Sequence, residues 1–240
     1  MTSRIKKLIT ILCDSYYRQA LLRYHVAAAV EHDAQLRSIG VELKTVVDIG
    51  PNRGQFTLAA RRHAPRATIY AFEPLAEPAE VFRVAFQHDA AVELHLCAIG
   101  AQEGEELMHV SRADDSSSLL PITDLQTRLF PGTREKDTRC VTVTPLDAAL
   151  FPQQITVPAL LKIDVQGYEL EVLKGCVSLL DRFDVILVEC SYVELYAGQA
   201  LVAEVIAHLE AAGFGLVERY NLVRDARGDV VQADFCFRRK

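Results

Sequence analysis

The stretch Thr45-Val46-Val47-Asp48-Ile49-Gly50-Pro51-Asn52-Arg53-Gly54-Gln55-Phe56 constrains this chain more than any other. Val46 and Val47 sit in a β-branched apolar run, the composition of a buried strand. Asp48-Ile49-Gly50 ends that strand. Gly50 to Gly54 make a glycine-punctuated turn, and Phe56 opens a helix running to about Ala64-Pro65. A strand, a tight turn and a helix start let a bound group approach the backbone closely.

The glycine spacing narrows the choice of group. A dinucleotide fingerprint is G-x-G-x-x-G after its strand. With Gly50 first, Asn52 and Gln55 occupy the second and third glycine positions, so the fingerprint fails. What stands here is acid-x-Gly-x-Asn-x-Gly. It resembles the first motif of the S-adenosylmethionine (SAM) methyltransferases, in which an acid suits the cofactor's ammonium; a pyrophosphate would be repelled.

Alternation continues along the chain. Ala67 to Phe72 reads as a second strand ending at Glu73-Pro74, followed by a helix over about Ala76 to His88 and a third strand over Ala91 to Ile99. Glu73 stands 23 residues past Gly50, and an acid there can accept hydrogen bonds from both hydroxyls of a ribose. By position Cys97, Ala98 and Ile99 flank a flat apolar base, or they simply pack as a strand. Glu105 to Ser111 and Arg139 to Thr144 alternate like an antiparallel excursion. Between them lies a long polar connection that includes Ser116, Ser117 and Ser118. Such a loop is either a lid lining a substrate pocket or a flexible connection. Pro158 to Asp164 is a fourth strand, Tyr168 to about Leu180 a helix, and Asp184 to Cys190 a fifth strand. A helix over Leu201 to Ala212 and strands over Gly213 to Glu218 and Ala233 to Phe237 close the chain, with Val223 to Gly228 as their turn.

This order implies an α/β fold with a doubly wound, mostly parallel seven-stranded sheet. Ligands bind such sheets beyond the carboxyl ends of the strands. Asp48, Glu73, Asp164 and Glu189 all stand at expected carboxyl ends, and four acids around one crevice argue for a site.

Residues 1–40 read as an N-terminal helical extension and 41–240 as the core domain. From residue 4 to about 38, Leu8, Ile11, Leu12, Tyr16, Ala20, Tyr24 and Ala27 recur at helical spacing, with no proline or glycine before Gly40. The extension packs on the domain, caps the pocket, mediates a homo-oligomer or lies on a membrane. No apolar run is long enough for a spanning helix, and no signal-peptide cleavage pattern follows Ile5 to Leu12. A net charge of −6 supplies no basic field for nucleic acid. The six cysteines include no C-x-x-C pair and read as reduced core residues of a cytoplasmic protein.

The chain as a whole resembles the FkbM family of SAM-dependent methyltransferases. The resemblance rests on Asp48 to Phe56, Phe72-Glu73-Pro74, Ala98-Ile99-Gly100, Ser116-Ser117-Ser118, Leu146-Asp147, Leu161 to Glu169, Val172 to Gly175 and Val188-Glu189. Pro51 departs from the small residue usual in the family and lacks an N–H. The resemblance implies a class I methyltransferase, Rossmann-like, that moves a methyl group to a hydroxyl of a sugar or glycosylated natural product. The expected cofactor is SAM, held by Asp48, Gly50, Asn52, Gly54, Phe56, Glu73, Pro74, Cys97, Ala98, Ile99 and Asp164. Asp164 and Glu189 are the expected catalytic residues, Ser116, Ser117 and Ser118 the expected substrate contacts, and no metal is expected. The acceptor is a small molecule or glycoconjugate. Two other readings remain: an NAD-dependent oxidoreductase, and a non-catalytic SAM-binding module acting through its N-terminal helices.

Overall fold

The computed structural model describes residues 3–240. The chain opens with α1 (Ser3–Cys13), α2 (Ser15–Tyr24) and α3 (Asp33–Ser38), then alternates β1 (Thr45–Ile49), α4 (Gln55–His63), β2 (Thr68–Phe72), α5 (Ala76–Phe86) and β3 (Val92–His95). An excursion follows: β4 (Ala98–Ile99), β5 (Gly104–Ser111), α6 (Asp124–Leu129) and β6 (Glu135–Thr144). After the short α7 (Leu146–Ala149) the main fold resumes with β7 (Ala159–Ile163), α8 (Glu169–Lys174), β8 (Val185–Ser191), α9 (Val202–Ala211), β9 (Phe214–Arg224) and β10 (Val230–Arg239).

Seven strands form one sheet in the order β3-β2-β1-β7-β8-β10-β9. The first five are parallel, and β10 runs antiparallel to both β8 and β9. The doubly wound, mostly parallel sheet expected from the alternation is the sheet observed. Strand order reverses beside β1, between β1 and β7, which opens the crevice where such sheets bind ligands.

The period of two along each strand sorts side chains between the faces. Val47 and Ile49 of β1 join the cluster with Val172, Leu173, Val205 and Leu209 of α8 and α9. Val46, one residue earlier, joins Phe56, Ala59 and Ala60 of α4 on the opposite face. Both faces are therefore apolar, and fully burying one such side chain contributes about 1.5–3 kcal/mol.

Gly50 fixes the close approach at the switch point. Its φ is +79°, and a Cβ there would lie 1.9 Å from the Asp164 carbonyl oxygen. The backbone on either side is tied to both neighbours, Gly50 N–H to the Phe72 carbonyl at 3.1 Å and Asp164 N–H to the Ile49 carbonyl at 3.0 Å.

Three expectations need correction. The helical pattern over 4–38 is not continuous. Asp14 breaks it, accepting from the N–H groups of Tyr16 and Tyr17 as an N-cap, and α2 ends at His25 in the left-handed region. The third strand is two strands. β3 stays in the main sheet, whereas β4 pairs with β6 in a separate three-stranded sheet, and Cys97 lies in the crossing between them. Of the six cysteines only Cys176, Cys190 and Cys236 are buried; Cys13 and Cys140 are exposed.

The extension packs on the body rather than standing away from it. Ile11, Tyr17, Ala20, Val26 and Ala28 share a cluster with Leu58, Phe82 and Phe86 of α4 and α5. Tyr17 also donates to buried Asp33 at 2.6 Å, and Arg62 pairs with Asp14 at 2.9 Å.

Candidate active site

Two clefts open at the carboxyl edge of the sheet, on either side of Asp164. The first, about 540 Å³, is mostly apolar. Its walls come from strand ends: Ile49 of β1, Phe72 of β2, Ala98 and Ile99 of β4. Pro74, Leu75, Met108 and Leu119 complete them. Gly50, Asn52 and Glu73 bring backbone and polar groups to its floor.

Glu73 is 4% exposed and holds the turn together. One carboxylate oxygen accepts from Leu75 N–H at 2.9 Å and the other from Asn52 N–H at 3.1 Å. Burial pushes its pKa up to about 7, opposed by those two N–H donors. A carboxylate oxygen has more than one lone pair, so Glu73 keeps acceptor capacity toward the cleft.

The second cleft is polar. It appears as two overlapping hollows of about 950 and 1270 Å³ that share Lys7, Glu31, His32, Asp164 and Glu189. One extends along Gln55, Asp115, Ser116 and Phe130, the other along Asn221, Leu222 and Asp234 of the β9–β10 hairpin.

Asp164 lines both clefts. Its side chain is 35% exposed, and its Oδ2 lies 3.3 Å from Lys162 Nζ. Lys162 is a lysine inside a central parallel strand, 1% exposed. It stands in register beside Asp48 and lies 3.9 Å from Asp234. Burial pulls its pKa down, but Asp164, Asp234, Glu189 and Asp48 outweigh it, so the ammonium persists. Burial alone would raise Asp164. The Lys162 charge and the Gln166 amide outweigh that, so its pKa falls below the usual carboxylate value.

Glu189 goes the other way. Burial, then the charges of Asp164 and Asp234, raise it well above the ordinary range, with Lys162 opposing. Two amides, Gln166 and Gln232, donate to the same oxygen, Oε2, at 2.9 and 2.7 Å. Its other oxygen, Oε1, receives neither amide. Gln166 also donates to Asp164 at 2.8 Å and so spans the pair. The two carboxyls are pushed in opposite directions, Asp164 toward the ionised form and Glu189 toward the protonated one.

The remaining expected residues separate into groups. Gly50, Asn52, Glu73, Pro74, Ala98, Ile99 and Asp164 meet at the apolar cleft with Ser117. Asp48 lies beneath it, 1% exposed, accepting from the Thr57 hydroxyl at 2.6 Å. Burial raises it to about 6. Phe56 lines the polar cleft and carries Lys162 Nζ 5.9 Å from its ring centre. Gly54 faces α5, where a Cβ would meet Phe86 at 2.6 Å, and Cys97 is outside the cleft linings given by its neighbours Ala98 and Ile99.

The serine loop is more ordered than its composition suggests. Ser118 is fully buried and donates to the Gln166 carbonyl at 2.7 Å. Ser117 accepts from Ser111 N–H at 3.1 Å. The Tyr196 hydroxyl lies 3.0 Å from the Ser116 carbonyl and 2.9 Å from Gln166 Oε1, with its one proton to donate to either. Of the three serines, Ser116 faces the polar cleft and Ser117 the apolar one.

Sequence reasoning missed Lys162, Gln166, His32, Gln232 and Asp234. Lys162 left a signal: a lysine inside Leu160-Leu161-Lys162-Ile163 is a charge in a strand buried on both faces. Gln232 and Asp234 left a fainter one, polar residues two apart within the apolar part of their strand, Val230 to Phe237. His32, neutral because burial and Lys162 lower its pKa to about 4, left none. Among the described residues no group of three or more His, Cys, Asp or Glu is arranged to hold a metal ion.

The sheet, its reversal point and the acids along its carboxyl edge define an α/β enzyme of the methyltransferase class. Residues 48–216 match the model of the methyltransferase FkbM domain, and the chain belongs to that family. It is 29% identical over 188 residues to methyltransferase 1 of Beauveria bassiana, covering 72% of this chain and 74% of that protein. It is 28% identical over 204 residues to the 31-O-demethyl-FK506 methyltransferase FkbM of Streptomyces tacrolimicus, covering 74% and 76%. Among solved structures, the methyltransferase FkbM of Methylobacillus flagellatus aligns with a TM-score of 0.48 at 14% identity, covering 96% of this chain; this chain spans 58% of that one.

Proposed function

We propose that this methyltransferase moves the methyl group of SAM to a hydroxyl of a sugar or a glycosylated natural product. The carrying observation is the place of Asp164, which lines the apolar cleft and both hollows of the polar one. The name of the Streptomyces relative, a 31-O-demethyl-FK506 methyltransferase, supports oxygen as the acceptor atom.

The residues present suit SAM. The first cleft is mostly apolar with a few convergent polar groups, the makeup of a small-molecule site. Ala98, Ile99 and Pro74 offer flat apolar walls for an adenine, with Cys97 beside them. Glu73 offers a buried acceptor for a diol. Gly50 and Asn52 let the bound group approach the turn, Gly54 and Phe56 fix the start of α4, and Asp48 supplies negative charge below. When bound, SAM supplies a methyl group already activated on a sulfonium, so that the C–S bond breaks as the O–C bond forms.

The chain's own task is alignment and proton removal. Asp164, held ionised by Lys162, accepts the acceptor hydroxyl's proton. Glu189, protonated, donates a hydrogen bond from Oε1 and orients the acceptor. Ser116, Ser117 and Ser118 form the loop across the clefts, Ser116 toward the acceptor. Incubation with methyl-labelled SAM and a panel of glycosides tests the reading. Label in a methyl ether is the expected result. SAM binding by calorimetry without transfer to any hydroxyl would leave a binding module instead.

A further inference from the structure

Helix α1 carries its apolar stripe on the outside. Its contact with the body is Ile11, 2% exposed, together with Lys7, which pairs with Glu31 at 2.9 Å. Ile5, Leu8, Ile9 and Leu12 recur at i, i+3, i+4 and i+7, which is one face of a helix. They are 47%, 49%, 46% and 41% exposed. Leu22 of α2 is 69% exposed. A domain that buried this helix for its own stability would have turned the stripe inward.

Charge points to the partner. Residues 1–25 hold five basic residues (Arg4, Lys6, Lys7, Arg18, Arg23) against one acid, Asp14, in a chain whose net charge is −6. Lys6, Arg18 and Arg23 are exposed. A short helix with an apolar stripe and basic flanks has the makeup of an interfacial helix on anionic lipid. No helix among the described residues is long and apolar enough to cross a membrane. A second copy of the chain fits less well. It would bring two basic segments together, and four side chains make a stripe far smaller than a stable interface needs.

The polar cleft opens on the other side of α1. Lys6, Lys7 and Thr10 line it, and at about 100° per residue they fall roughly opposite Ile5, Leu8, Ile9 and Leu12, so the stripe itself faces away from the cleft.

We propose that α1 lies in the surface of an anionic bilayer, with Ile5, Leu8, Ile9 and Leu12 among the acyl chains.

Co-sedimentation of the full chain with vesicles tests the docking without turnover. The probes are phosphatidylcholine vesicles with and without about 30 mol% phosphatidylglycerol. Binding is expected to the anionic vesicles and to weaken at about 0.5 M salt. The double substitution Leu8→Gln/Leu12→Gln, on exposed positions, is expected to leave thermal unfolding unchanged and to lower partition at least about tenfold. No sedimentation of the wild-type chain, or equal sedimentation of the double variant, overturns the proposal. So does a wild-type dimer in ultracentrifugation that the double variant dissolves while neither form binds vesicles. Vesicle binding without methyl transfer to any hydroxyl would remove the proposed reaction and leave the docking in place.

Discussion

The apolar and polar clefts meet at Asp164 but are assembled differently. The apolar cleft draws on strand ends and the turns after them, in segments that also carry its sequence motifs: Ile49 to Asn52, Phe72 to Leu75 and Ala98-Ile99. The polar cleft gathers Lys7, Glu31, His32, Glu189, Asn221 and Asp234 from both ends of the chain. A cofactor site can be built on local backbone geometry, because the turn itself makes the contacts. A polar cleft built across distant elements depends on buried charge held in balance, and Lys162 supplies that balance here.

The sharpest way to break this contrast is at Lys162. Lys162→Met keeps the length and removes the charge, leaving Asp164, Asp234 and Asp48 near one another in a buried strand edge. Breaking a buried pair in this way typically costs about 3–5 kcal/mol. Denaturant unfolding at pH 8 should show such a loss, and at pH 5 a smaller one, because the acids can then take up protons. Equal losses at both pH values would mean that Lys162 acts by packing alone.

A smaller effect is expected on the apolar side. Glu73→Gln keeps one carbonyl acceptor for a backbone N–H and removes the charged acceptor facing the cleft. SAM affinity should fall by about 1.5–3 kcal/mol, the range for hydrogen bonds to a charged group. Calorimetry showing unchanged affinity in the folded variant would remove Glu73 from the ribose site.

The smallest expected effect is a slope. Glu169, 3% exposed, accepts from Gly167 N–H at 2.8 Å, and burial raises its pKa to about 7. A carboxyl raised in the folded state contributes stability below its unfolded pKa, and that contribution is lost as pH rises through about 7. Glu169→Gln should therefore flatten the decline in unfolding free energy between about pH 4.5 and 7, by at most about 1.4 kcal/mol per pH unit. An unchanged slope would place the titration elsewhere.

How much of this was legible in the sequence follows the same division. Strand-and-helix alternation was legible because both faces of the parallel strands are apolar. So was the excursion, because Glu105 to Ser111 alternates. The reversal point was legible through Asp48-Ile49-Gly50, since a glycine there answers a steric demand the turn makes locally. The break at Asp14 was harder to see because an acid inside a helical pattern reads as a solvated position until its carboxylate is found capping Tyr16 and Tyr17. The split at Cys97 was invisible because Val92 to Ile99 has one continuous strand-like composition while its two ends pair in different sheets. The bridge that Gln166 makes between Asp164 and Glu189 spans residues far apart in sequence, and no local pattern encodes it.

The central claim is that Asp164, which lines the apolar cleft and both hollows of the polar one, removes the acceptor's proton. Asp164→Asn keeps the shape and removes the charge. The direct measurement is turnover at saturating SAM beside SAM affinity by calorimetry, wild type against Asp164→Asn, on an acceptor that the wild type methylates. General-base catalysis is worth about 10²–10⁴-fold, so turnover should fall at least about 10²-fold while SAM affinity stays within about tenfold. Wild-type turnover in the variant, or a collapse of SAM affinity with turnover intact, would contradict it.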